Sequence, residues 1–273
     1  MKQILSGFLN YNGLSKLNIF LFCLSFYFLL YVQVFTQSFP VRSYTVEDGL
    51  ITNFINDAVQ DNNGRMWFAT ELGVSVYNGC NWINYTPKDG LPVEDYFKIL
   101  LDKENTIWAI PSDLKDKIAF FKENRWHLIK PPVINNSFSI NVNYADLTSV
   151  NNHPEICIGT NNGVYIFNQN EWKHITKTNG LLNDTVLYVK HYDDNFYICS
   201  SSGLSILNGL NIDNSLNHYF RNYHSYPLAI DFEKTPSGNL IFWLLGKEWI
   251  GSLSGKKLHL ITKENKMIYL IHF

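Results

Sequence analysis

Asp61-Asn62-Asn63-Gly64-Arg65-Met66-Trp67-Phe68-Ala69-Thr70-Glu71-Leu72-Gly73-Val74 joins a polar turn to a short apolar run and then to a second turn, and the pattern recurs. Asp61 and Trp67 return as Asp102 and Trp108, 41 residues later in both cases (61 to 102, 67 to 108), and Gly49-Leu50 returns as Gly90-Leu91 at the same spacing. Several separate matches at one period near 40 residues mark a repeat architecture, in which each unit buries its apolar face against the next.

Within the first unit, Tyr44 to Leu50 leads into an apolar alternation from Phe54 to Val59, and Asp61-Asn62-Asn63-Gly64 turns the chain into Met66 to Thr70. Glu71-Leu72-Gly73 turns it again into Val74 to Tyr77, Asn78-Gly79 makes a third turn, and Trp82 to Thr86 supplies a fourth strand before Asp89-Gly90-Leu91 opens the next unit. Four short strands per period predict one blade of a β-propeller. The frame continues: Gly159-Thr160-Asn161-Asn162-Gly163-Val164 answers Ala69 to Val74, and Cys199-Ser200-Ser201-Ser202-Gly203-Leu204 answers it again. Trp82, Trp126 and Trp172 mark the fourth strand in units one to three, and Ser237-Gly238-Asn239 before Leu240 to Leu244 marks a turn and strand in a fifth. Six residues before the turn glycine stand Trp67, Cys157 and Tyr197, all types that pack between blades.

The expected fold is therefore all-β, a propeller of four-stranded blades with about five blades over residues 39–273. They fall at roughly 53–86, 95–130, 145–177, 185–222 and 227–262, with the start of a further blade at 266–273. Residues 1–38 read differently. Only Lys2 and Lys16 are charged there, Ile19 to Val32 is an apolar run interrupted by Ser25, and Thr36-Gln37-Ser38 follows. That is the pattern of an export signal helix cleaved near Ser38, with an uncleaved N-terminal anchor as the alternative.

Composition closes off several classes. Of 273 residues, 46% are hydrophobic, which is enough for a core. A charged fraction of 17% and a formal net charge of −2 leave no basic field for a phosphate backbone, so nucleic acid is not an expected partner. Cys23, Cys80, Cys157 and Cys199 lack metal-ligand spacing, and the eight histidines are scattered, so neither a metal nor another cofactor is expected.

The units resemble the two-component regulator propeller repeat, whose pattern runs Gly-Leu-Pro, an apolar strand, Asp-x-x-Gly-x-x-Trp, Gly-Thr, then Gly-Leu and an aromatic residue. Asp89-Gly90-Leu91-Pro92, Asp61-x-x-Gly64-x-x-Trp67, Ala69-Thr70-x-x-Gly73 and Gly159-Thr160-x-x-Gly163-Val164 carry the resemblance. Asn105 stands where the second unit should have Gly, and Ala69 where Gly usually precedes Thr70. The structural residues of the repeat are thus Asp61, Gly64, Trp67, Gly73, Asp102, Trp108, Gly159, Thr160, Gly163 and Gly203. The resemblance implies a periplasmic or otherwise extracytoplasmic sensor region that in its relatives precedes a transmembrane helix and a histidine kinase or other output domain. It also implies seven blades, so five describe an incomplete ring whose exposed ends predict poor solubility of residues 39–273.

In such a fold the loops leading into first strands and the second-to-third-strand hairpins share one face. That face would carry Asn53, Phe54, Asp95, Tyr96, Asn183 and Asp184 from the loops, and Glu71, Asn161, Asn162 and Ser201 from the hairpins. Amides, carboxylates and aromatic rings suit a small extracellular ligand such as an oligosaccharide, which offers hydroxyls and apolar ring faces. Membrane contact is expected only through the N-terminal segment or a following region, and dimerisation is open to a full-length receptor. The competing classes are a sialidase- or lyase-like propeller enzyme and an adhesive propeller. Arg42, Arg65, Arg125 and Arg221 are too few and too dispersed to converge on a sialidase substrate's carboxylate, so no catalytic residue and no enzyme activity is expected.

Overall fold

A computed structural model describes residues 41–132, 138–150, 153–221, 225–247, 249–255 and 257–262. The segments expected as a signal helix (1–38) and as the start of a further blade (266–273) lie outside the described residues. The described residues from Tyr44 onward form one compact unit.

The described residues of that unit form five four-stranded antiparallel sheets, each a simple up-and-down meander. Sheet 1 comprises β1 (Ile55–Gln60), β2 (Met66–Thr70), β3 (Gly73–Tyr77) and β4 (Trp82–Tyr85). Sheet 2 comprises β5 (Tyr96–Leu101), β6 (Ile107–Pro111), β7 (Ile118–Lys122) and β8 (Arg125–Ile129). Sheet 3 runs through β9 (Val142–Val150), β10 (His153–Thr160), β11 (Gly163–Asn168) and β12 (Glu171–Ile175). Sheet 4 is β13 (Val186–Tyr192), β14 (Asn195–Ser200), β15 (Gly203–Asn208) and β16 (Asn211–Asp213), and sheet 5 is β17 (Pro227–Lys234), β18 (Leu240–Gly246), β19 (Ile250–Ser254) and β20 (Lys257–Thr262). Among the described residues no helix is long and apolar enough to cross a membrane.

The repeated residues explain why each unit folds alike. Asp61 Oδ1 accepts the backbone N–H groups of Asn63 and Arg65, both at 2.9 Å, which closes the β1–β2 turn. Asp61 Oδ2 takes the Trp67 indole Nε1–H at 2.9 Å. Asp102 does the same in sheet 2, accepting Glu104 and Thr106 backbone N–H groups and the Trp108 indole. Asn105, in place of glycine, adopts φ 65°, which its short polar side chain tolerates, and its Oδ1 accepts the Asn62 N–H of the neighbouring turn at 2.8 Å. At the other end of the second strand Thr70 Oγ1 donates to the Gly73 carbonyl and accepts the Leu72 N–H, and Thr160 and Ser200 repeat both bonds in sheets 3 and 4.

Ahead of sheets 1, 2 and 4, Thr45, Thr86 and Thr176 each begin a single 3-10 turn closed by Asp48, Asp89 or Asn179, whose side chain accepts the threonine's backbone N–H. Each turn ends by burying a leucine: Leu50, Leu91 and Leu181.

Successive sheets pack face on face, and four hydrophobic cores hold the five together. Trp67, Val74, Val76, Tyr96, Ile99 and Phe121 fill the space between sheets 1 and 2. Trp108, Ile110, Ile156, Ile158 and Phe167 fill that between sheets 2 and 3, and Cys157, Val164, Val189 and Ile198 that between sheets 3 and 4. Tyr197, Cys199, Ile230 and Leu244 lie between sheets 4 and 5. Gly159 marks a close approach: a Cβ there would collide with the side chains of Val186 and Val189 on the next sheet. The first strand of each sheet lies against the first strand of the next, from β1 through β5, β9 and β13 to β17, so first strands are innermost.

Candidate functional site

Each innermost strand has a neighbouring strand on one side only, so its other edge presents unpaired backbone groups toward the axis. The register of every first strand also slips by one residue near its start, at Ile55/Asp57, Tyr96/Lys98, Val142/Tyr144, Val186/Tyr188 and Pro227/Ala229. Two of the extra residues, Asn56 and Asn143, reach across to the following sheet and donate from Nδ2 to the carbonyls of Tyr96 (2.8 Å) and Val186 (2.6 Å). Asp57 Oδ2 accepts the Ile99 N–H at 3.0 Å, and Asp146 Oδ2 accepts the His191 N–H at 2.7 Å. Side chains of sheets 1 and 3 thus bond one carbonyl and one N–H each on the open edges of sheets 2 and 4.

The same strands line a cavity of ≈ 620 Å³. Its polar groups alternate in charge: Lys98 Nζ lies 3.2 Å from Asp57 Oδ1 and 4.5 Å above the Tyr144 ring, with Asp146, Lys190 and His191 following round the wall. Lys190 Nζ in turn sits 3.3 Å from Asp231 Oδ1. Paired charges beside the Tyr144 ring suit hydrogen bonding to a neutral polar molecule. Among the described residues no group of three or more His, Cys, Asp or Glu side chains is placed to hold a metal. A second cleft of ≈ 330 Å³ lies between sheets 2 and 3 near their first-to-second-strand turns, walled by Trp108, Phe120, Phe167, His153 and the Lys122–Glu104 ion pair at 3.1 Å.

The loops and hairpins named from the sequence meet at one end of each sheet. Thr52 Oγ1 donates to Glu71 Oε1, the Ser112 N–H to the Asp95 carbonyl, the Asn141 N–H to Asn161 Oδ1, and Asn183 Nδ2 to Ser202 Oγ. Several of these side chains have local structural work. Asn53 Oδ1 and Asp184 Oδ1 accept the N–H of Val46 and Lys177, Asn161 Nδ2 donates to the Ser139 carbonyl, and Asn162 Nδ2 donates to the Tyr165 hydroxyl. Phe54, 68% exposed, and the exposed Glu71, Asp95 and Ser201 remain turned to solvent.

Tyr96 requires a correction. It opens β5 and is 0% exposed in the core between sheets 1 and 2, where burial pushes its phenol well above the ordinary range, so it offers no surface to a ligand. Its neighbour Asp95 is the exposed residue of the pair. The axial groups Asp57, Lys98, Asp146 and Lys190 were not among the residues named from sequence. The signal for them was the polar residues inside otherwise apolar first strands.

Meander sheets stacked through their faces with first strands innermost define a β-propeller repeat protein. Residues 49–71 match the family model described as two component regulator propeller, a span that holds Asp61, Gly64 and Trp67. Among solved structures, the chain is similar to the extracellular domain of a putative hybrid two-component system from B. thetaiotaomicron, at 18% identity and a TM-score of 0.55, over 83% of this chain and 31% of that one. It is similar to virginiamycin B lyase from Staphylococcus aureus at 12% identity and a TM-score of 0.55, over 76% of this chain and 69% of that one. At these identities the likeness is one of fold, and the chain spans about a third of the length of the Bacteroides domain. No curated protein matches.

Proposed function

We propose that this chain is the ligand-sensing part of an exported two-component receptor and that it acts by binding rather than catalysis. The observation that carries the reading is the match of residues 49–71 to the two-component regulator propeller, in a chain whose other sheets repeat the same frame. The apolar N-terminal run supports export. The ligand is a small extracellular polar molecule, an oligosaccharide first of all, held at the loop end by the Phe54 ring and the Glu71 and Asp95 carboxylates. Those groups match the apolar ring face and the hydroxyls of a sugar.

The test is a glycan panel screened against the purified chain, followed by calorimetry on any hit. Binding in the micromolar to millimolar range, weakened at least tenfold by Phe54→Ala or Asp95→Ala, is expected. A hit unaffected by both substitutions removes the loop end as the site, and cleavage of a bound glycan overturns the non-catalytic reading.

A further inference from the structure

The interfaces between sheets 1 and 2 and between sheets 2 and 3 follow one plan but are filled differently. Thr106 is the equivalent of Arg65: each stands two residues before the tryptophan and gives its backbone N–H to Oδ1 of the turn aspartate. Ile129 is the equivalent of Tyr85, the two lying opposite Ile118 and Val74 in their ladders. Between sheets 1 and 2 both positions cover Trp67. The Tyr85 ring stacks on it at 6.2 Å, and the Arg65 guanidinium lies 5.1 Å above it with Nε 2.7 Å from Asp61 Oδ2. Between sheets 2 and 3 the smaller Thr106 and Ile129 line the ≈ 330 Å³ cleft beside Trp108, Phe120 and Phe167. The cleft is the space that a cation and a phenol fill one sheet earlier.

Charge points the same way. Asp102 keeps the bonds of Asp61 to two backbone N–H groups and an indole and is 6% exposed, yet among the described residues no cation bonds its Oδ2. Lys122, which also lines the cleft, is paired with Glu104 at 3.1 Å. Two carboxylates against one ammonium leave the lining at −1. We propose that this cleft binds a guanidinium group, which donates N–H to Asp102 Oδ2 and lies against the Trp108 ring as Arg65 does at Asp61 and Trp67. A quaternary ammonium has no N–H to give that oxygen, whereas the planar guanidinium both donates and stacks. The aromatic walls add cation–π attraction. The volume of ≈ 330 Å³ is at the small end of ligand sites, room for one such group on a short stem. The cleft lies at the first-to-second-strand turns, the end of the sheets away from the loops, so it is independent of the glycan reading.

The Trp108 indole N–H is bonded to the same Asp102 oxygen, so its proton–nitrogen resonance, assigned with Trp108→Phe, reports occupancy in the full chain. Ethylguanidinium is expected to shift that resonance with a Kd on the order of 1 mM and to leave the Trp67 indole, whose site Arg65 fills, in place. Ethylurea, of the same shape without the charge, is expected to bind at least tenfold more weakly. Thr106→Arg supplies the group from within the chain and keeps Asp102, so it is expected to abolish the ethylguanidinium shift, while Phe54→Ala at the loop end leaves it unchanged. A shift with Nα-acetyl-arginine methylamide as well assigns the group to an arginine of a protein chain, and a shift with ethylguanidinium alone assigns it to a free guanidine compound. A Trp108 resonance unmoved by ethylguanidinium, equal binding of ethylurea, or undiminished binding to Thr106→Arg overturns the proposal.

Discussion

The Trp67 indole N–H donates to Asp61 Oδ2 at 2.9 Å, with the carboxylate 4% exposed and the ring 0% exposed. One side chain therefore closes a turn and fixes the bulkiest residue of an inter-sheet core. Removing it leaves a buried indole N–H and two turn N–H groups without their acceptor, at about 1–3 kcal/mol for the buried group. Asp61→Ala is expected to destabilise the chain by about 2–4 kcal/mol in urea titration. A double-mutant cycle with Trp67→Phe should show coupling above about 0.5 kcal/mol, and additive effects would show that the bond contributes nothing.

The same carboxylate makes the fold acid-sensitive. Burial pushes the Asp61 carboxyl up, but the Trp67 indole, the Arg65 N–H and the Arg65 guanidinium together hold it below its ordinary 3.8. A folded pKa below the unfolded one contributes stability that is fully present above the unfolded value and is lost as pH falls through the folded one. Stability should therefore decline below about pH 4, and Asp61→Asn should flatten that decline by up to about 1.4 kcal/mol per pH unit. Denaturation midpoints between pH 2.5 and 5 measure it, and identical slopes for the two proteins would contradict it.

Gly73 and Gly79 both have positive φ, 139° and 94°, yet they differ in surroundings. A Cβ on Gly73 would run into the carbonyl oxygen of Tyr85, whereas one on Gly79 meets nothing within 4 Å. Gly79→Ala is expected to cost about 1 kcal/mol from backbone strain alone. Gly73→Ala should cost at least about 2 kcal/mol more, because β3 must move from β4. Thermal melts of the two variants side by side decide it.

The fold was legible because its turn chemistry is written in side chains. Asp61 with Trp67, Asp102 with Trp108, and Thr70 with Gly73 recur at fixed spacing and perform the same bonds wherever they recur. Sheet 5 was readable only as a turn and a strand, since β17 and β18 are longer than β1 and β2 and place Trp243 eight residues after Thr235, where Trp67 follows Asp61 by six. The candidate site was less legible. Whether a residue beside a strand start projects or turns inward depends on the one-residue slip, which spacing does not reveal, and that is why Tyr96 was placed at the surface and Asp57 passed over.

The axial edge gives the remaining prediction. Asp57 and Asp146 each accept a backbone N–H from the innermost strand of the following sheet, Ile99 at 3.0 Å and His191 at 2.7 Å. Those amides face the cavity, so without the carboxylates they fall back on water. Asp57→Ala is expected to speed hydrogen exchange at the Ile99 amide at least tenfold while amides elsewhere in sheet 2 hold their rates, and Asp146→Ala to do the same at His191. The Asp57 variant should lose the more stability, about 1–3 kcal/mol, because it also deprives Lys98, whose side chain is 17% exposed, of its carboxylate. Asp57→Asn keeps an acceptor oxygen but removes the charge, so it should protect Ile99 while leaving Lys98 unpaired. If Asp57→Asn and Asp57→Ala expose the Ile99 amide equally, the carboxylate acts on Lys98 alone and the edge is held by the Asn56 bond to Tyr96.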